Sequence, residues 1–256
     1  MLTLNINKAK AIAETILNTI KNKENIVVLT GAGISTESGI PDFRSPDGIW
    51  SKFDPAVFSS NVLYIDPERF YKSSLKLLEF LYSIKNAKPN KAHLTLAKME
   101  SQGYISSIIT QNIDGLHHKA GSKKVYEVHG NLEEGYCTIC GDKVTFDFLI
   151  GKILNNEFPP KCEKCSGVLR PNIILFGDLL PDNFLDATEE VRNSGLLIIV
   201  GSSLEVSPVN SLPYESKKFI IINNQRTYFD NMAYIYWHEK ASVALDNIYR
   251  ELYLYD

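Results

Sequence analysis

The sequence predicts an α/β protein: a doubly wound parallel sheet with a smaller zinc-binding module inserted into it. Three observations lead there. Short apolar runs recur at residues 26–29, 105–110, 125–128, 172–176, 196–200, 219–222 and 233–237. They are rich in Ile and Val and mostly do not alternate with polar residues, which is how strands buried on both faces read. Segments of helical character separate these runs, and strand–helix alternation is the pattern of an α/β sheet. The four cysteines all fall in two C-x2-C pairs, within a stretch that is short of aliphatic runs.

The elements follow in chain order. Ile6, Ala9, Ala13, Ile16, Leu17 and Ile20 make an apolar stripe at helical spacing. The first strand run follows. Residues 41–90 hold no convincing buried strand; they read as loop to about residue 66 and as helix to about residue 85. Asp66-Pro67-Glu68 supplies a cap, a proline at the first helical position and an acid in the first turn. Ala92, Leu96 and Met99 form a further stripe that stops near Gly103. Ser207-Pro208 is expected to start another helix by the same capping logic, and Tyr234, Tyr236 and Trp237 read as core packing. The expected division is residues 1–40, 91–130 and 170–256 for the sheet domain. Residues 41–90 and 131–169 would together form the small domain.

Composition excludes several classes. At 256 residues, 44% hydrophobic and 22% charged, the chain is a globular protein of one or two domains. A net charge of −3 provides no basic field, so no direct nucleic-acid partner is expected. The aliphatic runs fall far short of the roughly 20 apolar residues that a membrane span needs, so no membrane partner is expected either. The N-terminus lacks the charged-then-apolar shape of a signal peptide, and the expected location is cytoplasmic.

Cys137 and Cys140, then Cys162 and Cys165, can turn four thiolates toward one centre, the donor set of tetrahedral zinc. Gly141 and Gly167 follow the two pairs, as tight turns often require. Disulfides do not fit a chain without an export signal, and a thioredoxin-like site needs only one C-x-x-C. Four thiolates leave no open position for substrate or water, so the expected zinc is structural.

The chemistry falls at strand ends. Residues 26–29 run into Thr30-Gly31-Ala32-Gly33-Ile34-Ser35, the strand-then-glycine entry to a dinucleotide site. Gly31 and Gly33 would allow the tight turn and a close approach of backbone to a pyrophosphate. A third glycine is missing, since Thr36 stands at its position. Gly39-Ile40-Pro41-Asp42-Phe43-Arg44 follows closely. Thr110-Gln111-Asn112-Ile113-Asp114-Gly115-Leu116-His117 follows the second strand, and His129-Gly130 the third. Gly201-Ser202-Ser203 and Asn223-Asn224 end two later strands. Ligands of open α/β sheets bind at the carboxyl ends of strands. Five polar strand ends make a site more economically than five unrelated loops do. Of the other histidines, His93 and His238 read as structural or solvated, and His117 as shaping the pocket.

These motifs, with Arg170 to Asp178 and Gly201 to Pro208, occur in order over nearly the whole chain, which resembles the sirtuins, NAD-dependent protein lysine deacylases. The resemblance implies a Rossmann-like domain and a small zinc-binding domain, with NAD and acyl-lysine meeting in the cleft between them. It implies that residues 34–50 form a mobile cofactor-binding loop. By the same resemblance, Ala32, Thr36, Phe43 and Arg44 surround NAD on the glycine loop. Gln111, Asn112, Ile113 and Asp114 form the nicotinamide and ribose pocket. Ser202, Ser203 and Asn223 stand near the adenosine half, and His129 is the catalytic base. Ile174 and Phe176 line the acyl-lysine channel, and Val206 lies where the substrate peptide pairs.

The departures are few. The chain has Gly201-Ser202-Ser203 where the family often has Gly-Thr-Ser, and Phe176-Gly177-Asp178 where it usually has Phe-Gly-Glu, so substrate-loop contacts are expected to shift. Residues 237–240 follow no family pattern and receive no cofactor contact. Members that take acidic acyl groups carry a Tyr and an Arg three residues apart. Tyr71 and Ser74 stand there, so a neutral acyl group is expected.

The implied reaction joins the acyl-lysine carbonyl oxygen to the nicotinamide ribose as nicotinamide leaves, so positioning and electrostatics matter more than a protein nucleophile. Asn112 and Asp114 would hold ribose and nicotinamide, and His129 would act as general base on a ribose hydroxyl. Water completes the transfer to give free lysine and O-acyl-ADP-ribose. A mono-ADP-ribosyltransferase on the same scaffold is the nearest alternative, disfavoured by His129 and an intact 170–178 segment. A zinc-ribbon binding module with an NAD-sensing site is a second. A dehydrogenase fails on the missing third glycine and ribose acid.

Overall fold

A computed structural model describes residues 2–254, with side chains from residue 7. Helix α1 (Leu2–Lys21) precedes β1 (Asn25–Thr30). In the α1 stripe Ala9, Ala13 and Ile16 are fully buried, Ile20 sits at its exposed edge, and Ile6 lies outside the described side chains. Three 3-10 segments, Ala32–Ser38, Ile49–Ser51 and Pro55–Phe58, then lead to α2 (Ser60–Ile65) and α3 (Pro67–Ile84), where Asp66 accepts a hydrogen bond from Arg69 N–H as the cap residue. Next come α4 (Lys91–Ser101), β2 (Ser107–Thr110), α5 (Leu116–Ala120) and β3 (Val125–Glu127).

The chain then leaves the large sheet. Strands β4 (Gly130–Cys137) and β5 (Lys143–Thr145), helix α6 (Phe146–Leu154) and strand β6 (Leu169–Ile173) form a unit around a three-stranded antiparallel sheet, ordered β5-β4-β6. The large sheet resumes with α7 (Asn183–Asn193), β7 (Ser194–Val200), α8 (Leu212–Glu215), β8 (Phe219–Ile222), β9 (Ile235–Trp237) and α9 (Ala241–Tyr253).

The large sheet is parallel throughout, ordered β3-β2-β1-β7-β8-β9. Strand order therefore reverses between β1 and β7, where α/β sheets open a crevice for ligands. Both faces are covered. Ile26 and Val28 of β1 face a core shared with α1, α4 and α9, while Val27 and Leu29 face one shared with α7 and α8. A separate core joins Phe70, Leu77 and Leu78 of α3 to Phe146 and Leu149 of α6, with Cys137 and Cys162 at its edge.

Three local expectations change. Residues 172–176 do not form a strand of the parallel sheet. Arg170, Pro171 and Leu169 pair antiparallel with β4, and the chain leaves that ladder after Ile173. Residues buried on both sides read alike whichever sheet holds them. Ser207-Pro208 does not cap a helix; its peptide is cis, and a 3-10 turn at Val209–Ser211 precedes α8. Of the aromatic stripe only Trp237 is core. Tyr234 and Tyr236 are exposed because β9 is the sheet edge and its pleat turns alternate residues outward.

Candidate active site

A cavity of about 1100 Å³ opens at the strand-order reversal, between the carboxyl ends of β1, β2, β7 and β8 and the antiparallel unit. The turn after β1 is a 3-10 helix, Ala32–Ser38, ended by Gly39 in the left-handed region at φ +83°. Gly31, Ala32, Gly33 and Thr36 all line the cavity. The glycines also serve the packing of the turn. Gly31 N–H donates to Val200 O and Gly33 N–H to Gly201 O at 2.8 Å, and a Cβ on Gly33 would stand 2.8 Å from Gly201 O. Gly201 is itself at φ +63°, where a Cβ would meet Ile34 N at 2.4 Å. Two strand-end loops thus interlock backbone to backbone, which only glycine allows.

Phe43 and Arg44 reach the cavity from the next loop. Asp42 caps that loop, its Oδ1 accepting from Arg44 N–H and Ser45 N–H. Arg44 Nε lies 3.2 Å from Glu205 Oε2, across the cavity on the segment after β7. Ser202, Ser203 and Val206 line that wall, and Asn223 follows β8. Val206 sits in a segment without strand pairing in this structure. Ile174 and Phe176 line the opposite wall as the chain leaves β6.

Gln111, Asn112 and Ile113 come from the end of β2. Gln111 Nε2 donates to Ser202 Oγ at 2.8 Å, linking two strand ends. Asn112 is 5% exposed, and its amide is fixed by Gly31 O and Ser35 Oγ, each at 3.2 Å. Ser35 in turn donates to Asp114 Oδ2 at 2.7 Å, and Asp114 Oδ1 accepts from Leu116 N–H. Asp114 alone of the residues expected to touch NAD or the acyl-lysine does not line the cavity. It stands behind Asn112, beside a second, smaller cavity.

His129 lines the cavity at the crossing from β3 to β4. Its Nδ1 lies 3.0 Å from Gln111 O. A carbonyl only accepts, so Nδ1 carries the proton and Nε2 is left as the basic nitrogen. Burial lowers the His129 pKa and the Arg44 charge adds to this, while the hydrogen bond to the Gln111 carbonyl opposes them. Gly130, at φ +79°, is packed so closely that a Cβ would fall 2.0 Å from Asn172 O.

His93 and His117 are buried behind this wall with rings 5.0 Å apart. His93 Nε2 faces Ser35 Oγ at 3.4 Å, and His117 Nε2 pairs with Thr30 Oγ1 at 2.9 Å. Burial holds their pKa values down to about 4 and about 3. His238 pairs with Asp230 at 2.7 Å, outside the cavity lining.

The cysteines converge away from this cavity. The four sulfurs lie within 4.8 Å of one another, with Cys137 Sγ 3.4 Å from Cys165 Sγ and Cys140 Sγ 3.8 Å from Cys162 Sγ. A Zn–S bond of ~2.3 Å in a tetrahedron sets the sulfurs about 3.8 Å apart, so the donors fit zinc.

Residues 237–240 carry no expected cofactor contact, yet Glu239 and Lys240 line the cavity just before α9. Sequence reasoning passed over Phe58, Leu77 and Leu81, which with Trp50 at the end of the expected cofactor loop supply an apolar wall. Neither group carries a local signal, because packing brings them in from separate elements: Glu239 and Lys240 just before α9, Leu77 and Leu81 on α3, and Trp50 and Phe58 on the 3-10 turns Ile49–Ser51 and Pro55–Phe58.

A parallel sheet that reverses order at a glycine turn, with the cavity in that crevice, defines a dinucleotide-binding α/β protein. The antiparallel unit with its cysteine cluster narrows the class further. The chain belongs to the Sir2 family, whose model matches residues 31–208. The NAD-dependent protein deacetylase 2 of Caldanaerobacter subterraneus subsp. tengcongensis is 54% identical over 232 residues, 90% of this chain and 92% of that protein. The NAD-dependent protein deacylase of Aquifex aeolicus is 41% identical over 88% of this chain and 94% of its own length. A solved Sir2 variant with deacetylated p53 peptide and 3'-O-acetyl-ADP-ribose superposes with a TM-score of 0.86, at 40% identity over 95% of this chain and 98% of that one.

Proposed function

We propose that this chain is an NAD-dependent protein lysine deacylase that transfers a neutral acyl group from lysine to ADP-ribose with release of nicotinamide. The observation that carries the reading is the meeting of His129, Asn112 and the glycine turn with Ile174 and Phe176 in one cavity. The names of its relatives and the ligands in its structural neighbours support it.

NAD, when bound, supplies the ribose carbon at which nicotinamide is exchanged for the acyl oxygen. The chain's residues do the rest. Ala32, Thr36, Phe43 and Arg44 hold the pyrophosphate side, where a guanidinium suits a bidentate anion. Ser202, Ser203 and Asn223 hold the adenosine side, and Gln111 belongs to the nicotinamide and ribose pocket, where its amide ties to Ser202 Oγ. Asn112 and Ile113 bind the nicotinamide end, and Asp114 acts from behind by fixing Ser35 and, through it, the Asn112 amide. His129 Nε2 takes the proton of a hydroxyl presented to it, while Gln111 O holds the ring in the required tautomer. Ile174, Phe176 and Val206 receive the acyl-lysine.

The neutral acyl preference has structural support. Tyr71 and Ser74 are fully buried and do not line the cavity; Tyr71 OH donates to Leu169 O at 2.5 Å. The wall beyond Ile113 is Phe58, Leu77 and Leu81, which offers no cation to a carboxylate. Zinc on Cys137, Cys140, Cys162 and Cys165 is structural in this reading. The large domain comprises residues 1–40, 91–130 and 170–256, and the small one 41–90 and 131–169. The substrate is a protein or peptide, without direct nucleic-acid or membrane binding. No helix among the described residues is long and apolar enough to cross a membrane, and we assign the protein to the cytoplasm.

The test is to incubate the protein with NAD and an acetyl-lysine peptide and follow masses. Loss of the acetyl mass only when NAD is present, with nicotinamide released, is the expected result. ADP-ribose added to protein would turn the reading toward a transferase, and no turnover of NAD would end it.

A further inference from the structure

Arg170 and Asp178 form a buried pair that catalysis does not use. Their side chains are 3% and 13% exposed, and Arg170 Nη2 lies 2.6 Å from Asp178 Oδ2, with Nη1 3.3 Å from Oδ1. Nη2 also donates to Ile173 O at 3.0 Å and Nη1 to Tyr64 OH at 3.1 Å. The rings of Tyr136 and Tyr64 flank the guanidinium at 5.4 and 5.9 Å. Both terminal nitrogens are thus committed twice, an arrangement that suits a planar fork and not an ammonium.

The pair stands at the root of the segment that follows β6. Asp178 Oδ2 accepts from Leu175 N–H at 2.9 Å, and Asp178 N–H donates to Leu175 O at 3.0 Å, which closes a tight turn over Gly177 at φ +93°. Ile174 N–H donates to His129 O at 3.0 Å. Phe176 N–H donates to Phe58 O, and its own carbonyl accepts from Ser60 N–H, both at 3.0 Å. Residues 174–178 are therefore strung between the backbone of His129, the segment at 58–60 and the Arg170 guanidinium. A buried ion pair is a poor way to add stability, because desolvation offsets most of the attraction, but it defines one geometry sharply.

We propose that Arg170 and Asp178 are positioning residues for the acyl-lysine. They lock the 174–178 segment so that Ile174 and Phe176 form the channel wall in register with His129. This inference rests on the deacylase reading. The Asp178 carboxylate reaches Leu175 N–H and Arg170 together, so the shorter acid found here makes both contacts.

The test uses zinc-loaded full-length Asp178→Asn, Asp178→Glu and Arg170→Lys. A fluorescein-labelled acetyl-lysine peptide gives the peptide Kd by anisotropy, steady-state assays give KM and kcat, and melting temperatures follow the fold. Asp178→Asn and Arg170→Lys should weaken peptide binding and raise the peptide KM about tenfold or more, with the KM for NAD within about twofold. Asp178→Glu should recover most of the peptide affinity, since it restores the charge. Equal loss toward peptide and NAD, tracking a fall in melting temperature, would show a merely structural pair. Unchanged peptide affinity in Asp178→Asn would overturn the proposal. Wild-type protein that neither binds nor deacetylates the peptide would end the deacylase reading and the inference with it. Wild-type turnover with unaffected variants would end the inference alone.

Discussion

His129 shows how one residue is prepared by its neighbours. The Gln111 carbonyl fixes the tautomer, and burial keeps the ring neutral at lower pH than a free imidazole. A base works when deprotonated, so a lowered pKa carries activity further into acid. The acid limb of kcat/KM should therefore fall below pH 6.5, the value of an unperturbed imidazole. His129→Ala should remove deacetylation by a factor of about 100 or more while leaving the melting temperature within a few degrees. A profile whose acid limb lies above 6.5, or persistent activity in the variant, would remove His129 from the role. His129, Asn112 and the cysteines were legible in the sequence because each belongs to a spaced motif. The place of Asp114 behind Asn112 was not, since it depends on Ser35, 79 residues away.

At the scale of elements, the two C-x2-C turns hold the small unit together. Cys162 N–H donates to Gly167 O at 2.8 Å, and a Cβ on Gly167 would stand 2.8 Å from Cys137 Sγ. The glycine is thus required by the opposite turn's thiol, an interlock that spacing alone does not reveal. With zinc on the four cysteines as proposed, stripping it with a chelator should lower the melting temperature by about 10 °C or more, because structural metal sites couple metal binding to folding. Gly167→Ala should lose zinc at lower chelator concentration than the wild type, read with a zinc-sensitive dye. Unchanged stability of the stripped protein would argue against a structural metal. The strand after the cysteines was misplaced for a related reason. Periodicity at 172–176 reports burial, and burial is the same whether β4 or a parallel neighbour provides it.

Across the whole molecule, the histidine pair behind the cavity links fold stability to pH. His93 and His117 are held neutral mainly by burial, with pKa values of about 4 and about 3 against 6.5 in the unfolded chain. Both shifts are downward, so the stability they carry is complete above pH 6.5. It is lost as pH falls toward the folded values, because the unfolded chain takes up the protons first. At about pH 5 the loss is on the order of 2 kcal/mol per ring. A His117→Gln variant keeps an amide for Thr30 but cannot protonate. Its urea stability should fall less than that of wild type, by about this amount, between about pH 7.5 and pH 5. Equal falls would mean that His117 is not held neutral.

The sequence by itself determined the type of most elements, the parallel character of the large sheet, the cysteine donor set and the strand-end residues that line the cavity. These rest on local periodicity and on short motifs whose side chains act close to where they stand. Only the tertiary structure decided the rest. It placed β6 in the antiparallel sheet, brought Glu239 and Lys240 to the cavity rim, and showed Gly33 and Gly201 packed backbone to backbone. It also placed Asp178 on Arg170. Each of these depends on which distant surface covers a residue. A one-dimensional pattern records that a face is buried and leaves its neighbour to be chosen by packing.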